Sequence, residues 1–341
     1  MKAKRVTLQQ IAEKTGFSAN TVSRALKNQS VISESTRSRI QSAAVEMGYV
    51  PNQAATSLRL GQTRTLALIV ENLTNPFFGM LFEHIDRAAA ALGYTVILFS
   101  SHYHGQDEKK AILLALSYGV DGIVLVPSHT SENNLSLLSE KHTPVVLLAR
   151  AMKQMETDCA VMVDEQAGAL AARHLWDAGH RKIIYSGDSG RLYSNNRRLE
   201  GFRATLIEAG ADLAGQFRML RGQENADAIA AQIARLIREE GFTAMASFCD
   251  MQAHTLIARL RAYGIRVPED LGCVGFDNID EFVPSPLPIC SVGCDYQAMC
   301  DEAVKLLLTR IQGAETPHCV PFSPRLACRD SCRPAVGQRA H

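Results

Sequence analysis

Apolar residues along this chain follow two rhythms, and the change between them falls near residue 64. In the first stretch they recur every three to four positions, the period of a helix with one buried face. Leu8, Ile11 and Ala12 set the first such face. Thr7, with Gln10 three positions on, makes a capping-box pattern at its start, and Gly16 supplies the left-handed turn that ends it. Ser18 can cap a second helix, in which Val22, Ala25 and Leu26 fall on one side and Asn20, Ser23, Arg24 and Lys27 on the other. A third helix starts at Ser33, carries Ile40, Ala43, Ala44 and Met47 inward, and ends at Gly48.

From Thr65 onward, short β-rich apolar runs alternate with amphipathic stretches. Leu66–Val70 precedes a helix from Phe77 to Leu92, Thr95–Phe99 precedes 107–118, Gly122–Val126 precedes 131–141, and Val145–Leu148 follows. A second series runs Ala160–Val163, helix 165–178, Lys182–Ser186, helix 195–209, Arg218–Leu220, helix 225–240, Ala244–Phe248, helix 250–263 and Leu271–Phe276. A last helix, 295–312, carries Met299, Ala303, Leu306 and Leu307 on one face. Such alternation predicts doubly wound parallel sheets with helices on both faces. There are too many units for one comfortable sheet, so the body divides near residue 164 into two lobes. Ligands in open α/β sheets sit beyond the carboxyl ends of the strands, so two facing lobes make a cleft.

Between the two rhythms, Tyr49-Val50-Pro51-Asn52 stops the third helix, because a proline forces its predecessor out of helical geometry. The segment Gln53–Leu60 tolerates a helix but is shorter than the ~12–15 residues that hold one alone in water. It should order only when something packs against it. The expected domains are therefore a head (1–49), a hinge (50–63) and a two-lobed body (64–341).

Charge sharpens this division. Residues 1–64 carry ten Lys/Arg against three Glu, or +7, while the whole chain has 36 Lys/Arg and 35 Asp/Glu. The remaining 26 basic and 32 acidic residues leave the body at −6. A basic head on an acidic body is the footprint of polyanion binding at one end. The second helix fits the ~12 Å major groove, and its front offers the amide of Asn20, the hydroxyls of Thr21 and Ser23 and the guanidinium of Arg24 to bases and phosphates. A merely solvated helix face would not need this charge asymmetry.

In the body, polar and aromatic residues recur where strands end. Asn75-Pro76-Phe77-Phe78 follows the first strand and presents aromatic rings; Arg150, Asp164, Arg198, Asp250 and Asp277 follow later ones. Carboxylates and guanidinium groups converging beside aromatic rings suit a polyhydroxylated ligand, since each can make paired hydrogen bonds to hydroxyls.

Other chemistry finds little support. Nine cysteines, with no signal peptide ahead of them, are expected to be reduced thiols in the cytoplasm. Cys290-x3-Cys294 and Cys328-x3-Cys332 depart from usual zinc spacing, and no metal or other cofactor is expected. No run approaches the ~20 apolar residues that span a bilayer. Gly187-Asp188-Ser189-Gly190 copies a serine-protease nucleophile motif but follows a strand in a parallel α/β context, and His180 fits a turn before that strand. His102 and His104 flank Tyr103 in a loop. No phosphate-loop or dinucleotide glycine motif is present, so an enzyme is not expected. A plain solute-binding protein would explain the body but not the basic head.

Val6-Thr7-Leu8 through Thr21-Val22-Ser23-Arg24-Ala25-Leu26, then Gly48-Tyr49-Val50-Pro51-Asn52, form a specific pattern. Asn75-Pro76-Phe77-Phe78, Arg198-Leu199-Glu200-Gly201-Phe202, Val267-Pro268-Glu269-Asp270 and Gly275-Phe276-Asp277 extend it over nearly the whole chain. The sequence resembles the LacI/GalR family of bacterial transcriptional repressors. The resemblance implies a helix-turn-helix head, a hinge helix and a periplasmic-binding-protein-like body, acting as a homodimer on a pseudo-palindromic double-stranded operator. A small effector, a sugar or sugar derivative, would change the lobe arrangement and hence the hinge. Base-reading positions fall on Ala19, Asn20 and Arg24, and the minor-groove wedge on Leu58. Thr7, Ser18, Thr21, Ser23, Asn28, Asn52, Ala55 and Arg59 complete the implied DNA surface. Phe77, Phe78, Arg198 and Asp277 fall on effector-contact positions.

Three departures make the cleft less polar than a typical sugar site of the family, namely Ala149 before Arg150, Cys249 before Asp250, and Cys294. A non-sugar, nucleobase-like co-repressor therefore stays open. No apolar heptad follows the body, so a dimer is expected rather than a tetramer.

Overall fold

A computed structural model describes residues 6–50, 62–102, 105–128, 131–152, 157–188, 192–221 and 225–332. The chain divides into two compact units, Met1–Thr63 and Arg64–His341.

The first unit holds helices α1 (Leu8–Thr15), α2 (Ala19–Leu26) and α3 (Glu34–Glu46). The capping box is formed in full, with Gln10 N–H on the Thr7 hydroxyl and Thr7 N–H on the Gln10 amide oxygen (2.9 Å). Gly16 takes φ 77°, and Ser18 and Ser33 cap α2 and α3 by accepting from Thr21 and Thr36. Ile11, Val22, Ala25 and Ile40 are wholly buried at the centre, with Leu8, Leu26, Met47 and Tyr49 packed around them. So small a core leaves the caps a large share of its stability, each worth about 1 kcal/mol.

The second unit contains two six-stranded sheets. Its strands are β1 (Thr65–Val70), β2 (Thr95–Ser100), β3 (Gly122–Leu125), β4 (Val145–Ala149), β5 (Asp158–Met162), β6 (Ile183–Gly187), β7 (Phe217–Arg221), β8 (Ala244–Ser247), β9 (Gly272–Phe276), β10 (Cys290–Gly293), β11 (Cys319–Phe322) and β12 (Arg325–Ala327). The first sheet runs β11-β5-β4-β3-β1-β2, all parallel, and the second β12-β10-β9-β8-β6-β7, parallel except for β12. The helices are α4 (Pro76–Ala91), α5 (Gly105–Ser117), α6 (Ser131–Glu140), α7 (Asp164–Asp177), α8 (Tyr193–Glu208), α9 (Leu213–Gln216), α10 (Ala226–Glu240), α11 (Asp250–Leu260) and α12 (Tyr296–Ile311). Central strands such as Leu66–Val70 are buried on both faces, which explains why they read as continuous apolar runs.

The lobes are not two halves of the sequence. α12 returns from the second lobe to pack on β3, β4 and β5, and β11 joins the first sheet as an edge strand. A split near residue 164 therefore describes the strands up to β10 but misplaces the C-terminal segment. Periodicity could not show this, because β11 and β12 are only four and three residues long and β11 contains Pro321. β5 begins at Asp158, two residues ahead of the expected strand. Its buried carboxylate accepts from Arg310 Nε of α12 and from His318 N–H, each at 2.7 Å, so a partner elsewhere in the chain holds the charge inside.

The expectation of nine reduced thiols fails at one pair. Cys159 and Cys319 lie opposite each other across β5 and β11, with Cα atoms 4.4 Å apart, and are joined as a disulfide. The other seven cysteines are free. Among the described residues, no helix is long and apolar enough to cross a membrane.

Candidate nucleic-acid interface and ligand cleft

The α2 surface matches its two-faced sequence. Val22 and Ala25 are buried, whereas Ser18, Asn20, Arg24 and Lys27 are exposed and Ala19, Thr21 and Ser23 are half-exposed. Lys14 and Arg37 are neutralised by Glu46 (2.8 Å) and Glu34 (2.9 Å), so part of the head's positive charge is internally spent. Arg24 and Lys27 make no ion pair among the described residues, and they stand beside Asn20 on the open face. Thr7 is exposed at the start of α1, and Asn28 sits at φ 56° just past α2, its amide oxygen accepting from Gln41 at 2.8 Å. Asn52, Ala55, Leu58 and Arg59 lie outside the described residues.

In the second unit the strand ends bring together two charge clusters. Arg150 follows β4 through a left-handed Ala149 (φ 64°) and pairs with Glu71 at 2.8 Å, its guanidinium 5.6 Å over the Phe78 ring. Glu71, buried directly after β1, went unnoticed in the sequence. It supplies to Arg150 the carboxylate that Ala149 does not. Arg198 of α8 donates from Nε to Asp164 (2.8 Å) and from Nη1 to the Phe248 carbonyl (3.0 Å), lies 3.8 Å from Asp277, and stacks 4.8 Å over Phe276. Three carboxylates thus share two guanidinium groups. Burial pushes the Asp164 and Asp277 carboxyls up, against the downward pull of Arg198 and Arg150.

Asp277 (φ 97°) and Asn278 (φ 52°) both lie in left-handed backbone, a conformation costing ~1–3 kcal/mol per residue unless the surroundings impose it. Here the Val292 carbonyl and the Ser291 hydroxyl accept their two N–H groups, at 3.0 and 2.9 Å. The turn aims Asp277 back toward Arg198. Burial also pushes the Cys249 thiol up and the Cys294 thiol to about 12, so both are neutral at physiological pH.

Two expectations need revision. Asp250 is not a cleft residue: it is wholly buried, and its carboxylate accepts from the Ser291 hydroxyl (2.8 Å) and Ile279 N–H (3.0 Å). It braces the turn after β9 instead. Phe77 and Phe78 are not open stacking faces, since both are buried; Phe77 meets the edge of Tyr296 at 5.3 Å and Arg150 covers Phe78. Tyr296, which follows Cys294 at the head of α12, was also unmarked. Asn75 caps α4 by accepting from Phe77 N–H (3.1 Å), which ties it to helix geometry.

The position of Arg198 depends on two glycines. A Cβ on Gly168 of α7 would lie 1.8 Å from the Arg198 carbonyl oxygen, and one on Gly201 of α8 would lie 1.9 Å from that of Glu165. α7 and α8 therefore cross with backbone against backbone, seating Arg198 over Asp164. Gly168→Ala is expected to force the helices apart at a cost of about 1–3 kcal/mol or more and to weaken ligand binding. Gly79→Ala, on an exposed turn of α4 with open space around it, should instead add about 0.5–1 kcal/mol. Thermal unfolding distinguishes the two; equal midpoints would show that α7 and α8 tolerate separation.

Gly187 ends β6, and Asp188 just after it accepts from Leu192 N–H at 3.1 Å; Ser189 and Gly190 lie outside the described residues. His180 is buried at the opposite end of β6, bonded to Thr243 (2.9 Å), so it cannot serve Asp188. His102 borders Ser100 at 3.5 Å, while Tyr103 and His104 lie outside the described residues.

Residues 7–52 match the bacterial regulatory proteins of the lacI family, and 172–332 match a periplasmic binding protein-like domain. The HTH-type transcriptional regulator DegA of Bacillus subtilis (strain 168) is 30% identical over 294 residues, which cover 83% of this chain and 85% of DegA. The chain belongs to the LacI family. It is a DNA-binding transcriptional repressor of that type, and its relatives are regulators rather than enzymes. Its fold matches the lac repressor dimer bound to operator and the anti-inducer ONPF with a TM-score of 0.81 at 23% identity, covering 97% of this chain and 100% of that one. The transcriptional regulator CelR in complex with cellobiose matches with a TM-score of 0.70 at 25% identity over 96% of this chain and 100% of CelR. The LacI-family head supplies α1–α3, and the binding-protein-like body supplies the clusters around Arg150 and Arg198.

Proposed function

We propose that a sugar or sugar derivative in the cleft controls operator binding by a homodimer of this chain, through ordering of the hinge. The observation that carries the reading is the buried set Glu71–Arg150 and Asp164–Arg198–Asp277, paired acceptors and donors at the carboxyl ends of strands from both sheets. A polyol can hydrogen-bond to such pairs without breaking them, since each carboxylate oxygen has a second lone pair. Cellobiose in the related CelR supports this class. Asn75, Phe77, Phe78, Arg150, Asp164, Arg198 and Asp277 form the proposed effector set, with Glu71, Cys294 and Tyr296 added and Asp250 left out. Thr7, Ser18, Ala19, Asn20, Thr21, Ser23, Arg24 and Asn28 form the proposed DNA surface of the head, with Asn52, Ala55, Leu58 and Arg59 in the hinge.

Exposed Met251, Phe282 and Val283 on the second lobe supply apolar surface for a second copy. A repressor of this type works beside the bacterial chromosome, in the cytoplasm. A second reading, a nucleobase-like co-repressor, draws on the neutral Cys249 thiol near Asp277 and the neutral Cys294 thiol near Tyr296, which favour a flatter and less polar ligand.

A thermal-shift screen of sugars and nucleobases against the full chain separates the readings. A sugar at about 100 times its Kd is expected to stabilise the body by ~2.7 kcal/mol. A shift with nucleobases alone would favour the second reading, and a sugar-induced shift that survives Arg198→Ala would displace the site from this cleft.

A further inference from the structure

Several residues outside the cleft converge at the far end of the second sheet. β10 runs antiparallel to β12, with Val292 opposite Leu326 and Ser291 opposite Ala327, and one further step of that register sets Cys290 opposite Cys328. The last turn of α7, which packs on β10 and β12, brings His174 to the same place. One donor atom from each of His174, Cys290 and Cys328 lies within 4.8 Å of the other two. Cys294, the sequence neighbour of Cys290 at metal-like spacing, is about 13 Å away along the strand, at ~3.3 Å per residue. The fold therefore makes a cluster that neither cysteine pair in the sequence suggests.

Two further observations point to a ligand there. His174 Nε2 is buried and makes no bond of ordinary hydrogen-bond geometry among the described residues, its side chain facing the Cys290 thiol. Buried polar atoms are paired in the great majority of cases, and an orphan calls for an ion or water. Cys290 Sγ also has its surroundings arranged: as a thiol it donates to the Arg329 carbonyl (3.0 Å), and as a thiolate it accepts from Arg329 N–H (3.1 Å). Backbone N–H donation of that kind steadies a metal-bound thiolate. Cys328 is exposed, which leaves a path for an ion to enter.

We propose that His174, Cys290 and Cys328 form a zinc site, with Cys332 or a water in the fourth position. Two thiolates neutralise Zn2+, and a thiolate–imidazole set excludes Mg2+ and Ca2+, which require oxygen ligands. Zn–S and Zn–N bonds of about 2.3 and 2.0 Å draw the donors to roughly 3.3–3.8 Å apart, a closure of about 1 Å that side-chain rotation supplies. The bound ion would tie α7, β10 and the segment after β12 together, well away from the effector cleft.

The test uses the full chain, reduced, stripped with a chelator and reloaded with Zn2+ alone. One zinc per chain is expected after gel filtration, with a rise in melting temperature and indifference to excess Mg2+. His174→Ala, Cys290→Ser and Cys328→Ser should each weaken zinc binding by at least roughly tenfold, whereas Cys294→Ser should leave it unchanged. Replacement of zinc by Co2+ in the wild-type chain should give thiolate-to-cobalt charge-transfer absorption, a readout that needs no variant to fold. Failure of the reduced chain to retain zinc, absence of that absorption, or full zinc retention by a Cys290→Ser/Cys328→Ser double variant would overturn the site.

Discussion

Arg198→Ala is expected to abolish the effector's influence on operator binding while leaving effector-free operator affinity within about twofold. Arg198 donates to Asp164 at 2.8 Å, lies 3.8 Å from Asp277 and is anchored by the Phe248 carbonyl and the Phe276 ring. Its removal leaves two buried carboxylates facing one another without the cation between them, a penalty of ~3–5 kcal/mol for an ion pair broken from one side. Burial already pushes both carboxyls up and Arg198 holds them down, so its loss moves them further toward the neutral form. A protonated carboxyl is a poorer acceptor for a polyol. Two charge-assisted hydrogen bonds lost at ~1.5–3 kcal/mol each predict an effector affinity at least a hundredfold weaker. Arg198→Lys should not rescue it, because an ammonium cannot reach Asp164 and the Phe248 carbonyl in one plane. Anisotropy titration of an operator duplex with and without effector reads both quantities, and circular dichroism guards against a simple folding defect. An unchanged ligand response would remove Arg198 from the site.

Leu58→Ala should separate specific from non-specific DNA binding. On the proposed mechanism the eight-residue segment Gln53–Leu60, shorter than the ~12–15 residues that hold a helix alone in water, orders as a hinge through contacts made in the operator complex. A leucine wedge at an opened base step contributes only when the duplex bends, which belongs to the specific complex. Truncation is expected to cost about 2–3 kcal/mol there, or roughly 30- to 150-fold in affinity. Non-specific binding rests on phosphate charge and should change less than about twofold at the same salt. Equal losses on both duplexes would reject the wedge role.

The head was legible almost to the residue, because caps and helix faces are local. Thr7, Gln10, Gly16, Ser18 and Ser33 each act on backbone groups within three or four positions, so spacing alone reveals them. Most of the body strands were legible as apolar runs for a similar reason. What escaped was long-range. Glu71 shows its role only when β4 folds into the same sheet as β1, with β3 between them, and brings Arg150 to it. Asp250 looks like a cleft acid until Ser291, on a strand paired to β9, takes its carboxylate inward. Phe77 and Phe78 read as a stacking platform because α12's return to the first lobe, which brings Tyr296 to Phe77, leaves no periodic trace. The convergence of His174, Cys290 and Cys328 depends on an antiparallel pairing with a three-residue strand, below the length at which alternation can be detected.

The coupling of a basic groove-reading head to a hinge that orders on DNA makes selective duplex recognition the central claim. Titration of the full chain against a selected operator and a random duplex of equal length, across a range of salt, tests it most directly. The operator is expected to bind at least ~10³-fold more tightly at physiological ionic strength, with both affinities falling steeply as salt rises. Equal affinity for the two duplexes would contradict the account.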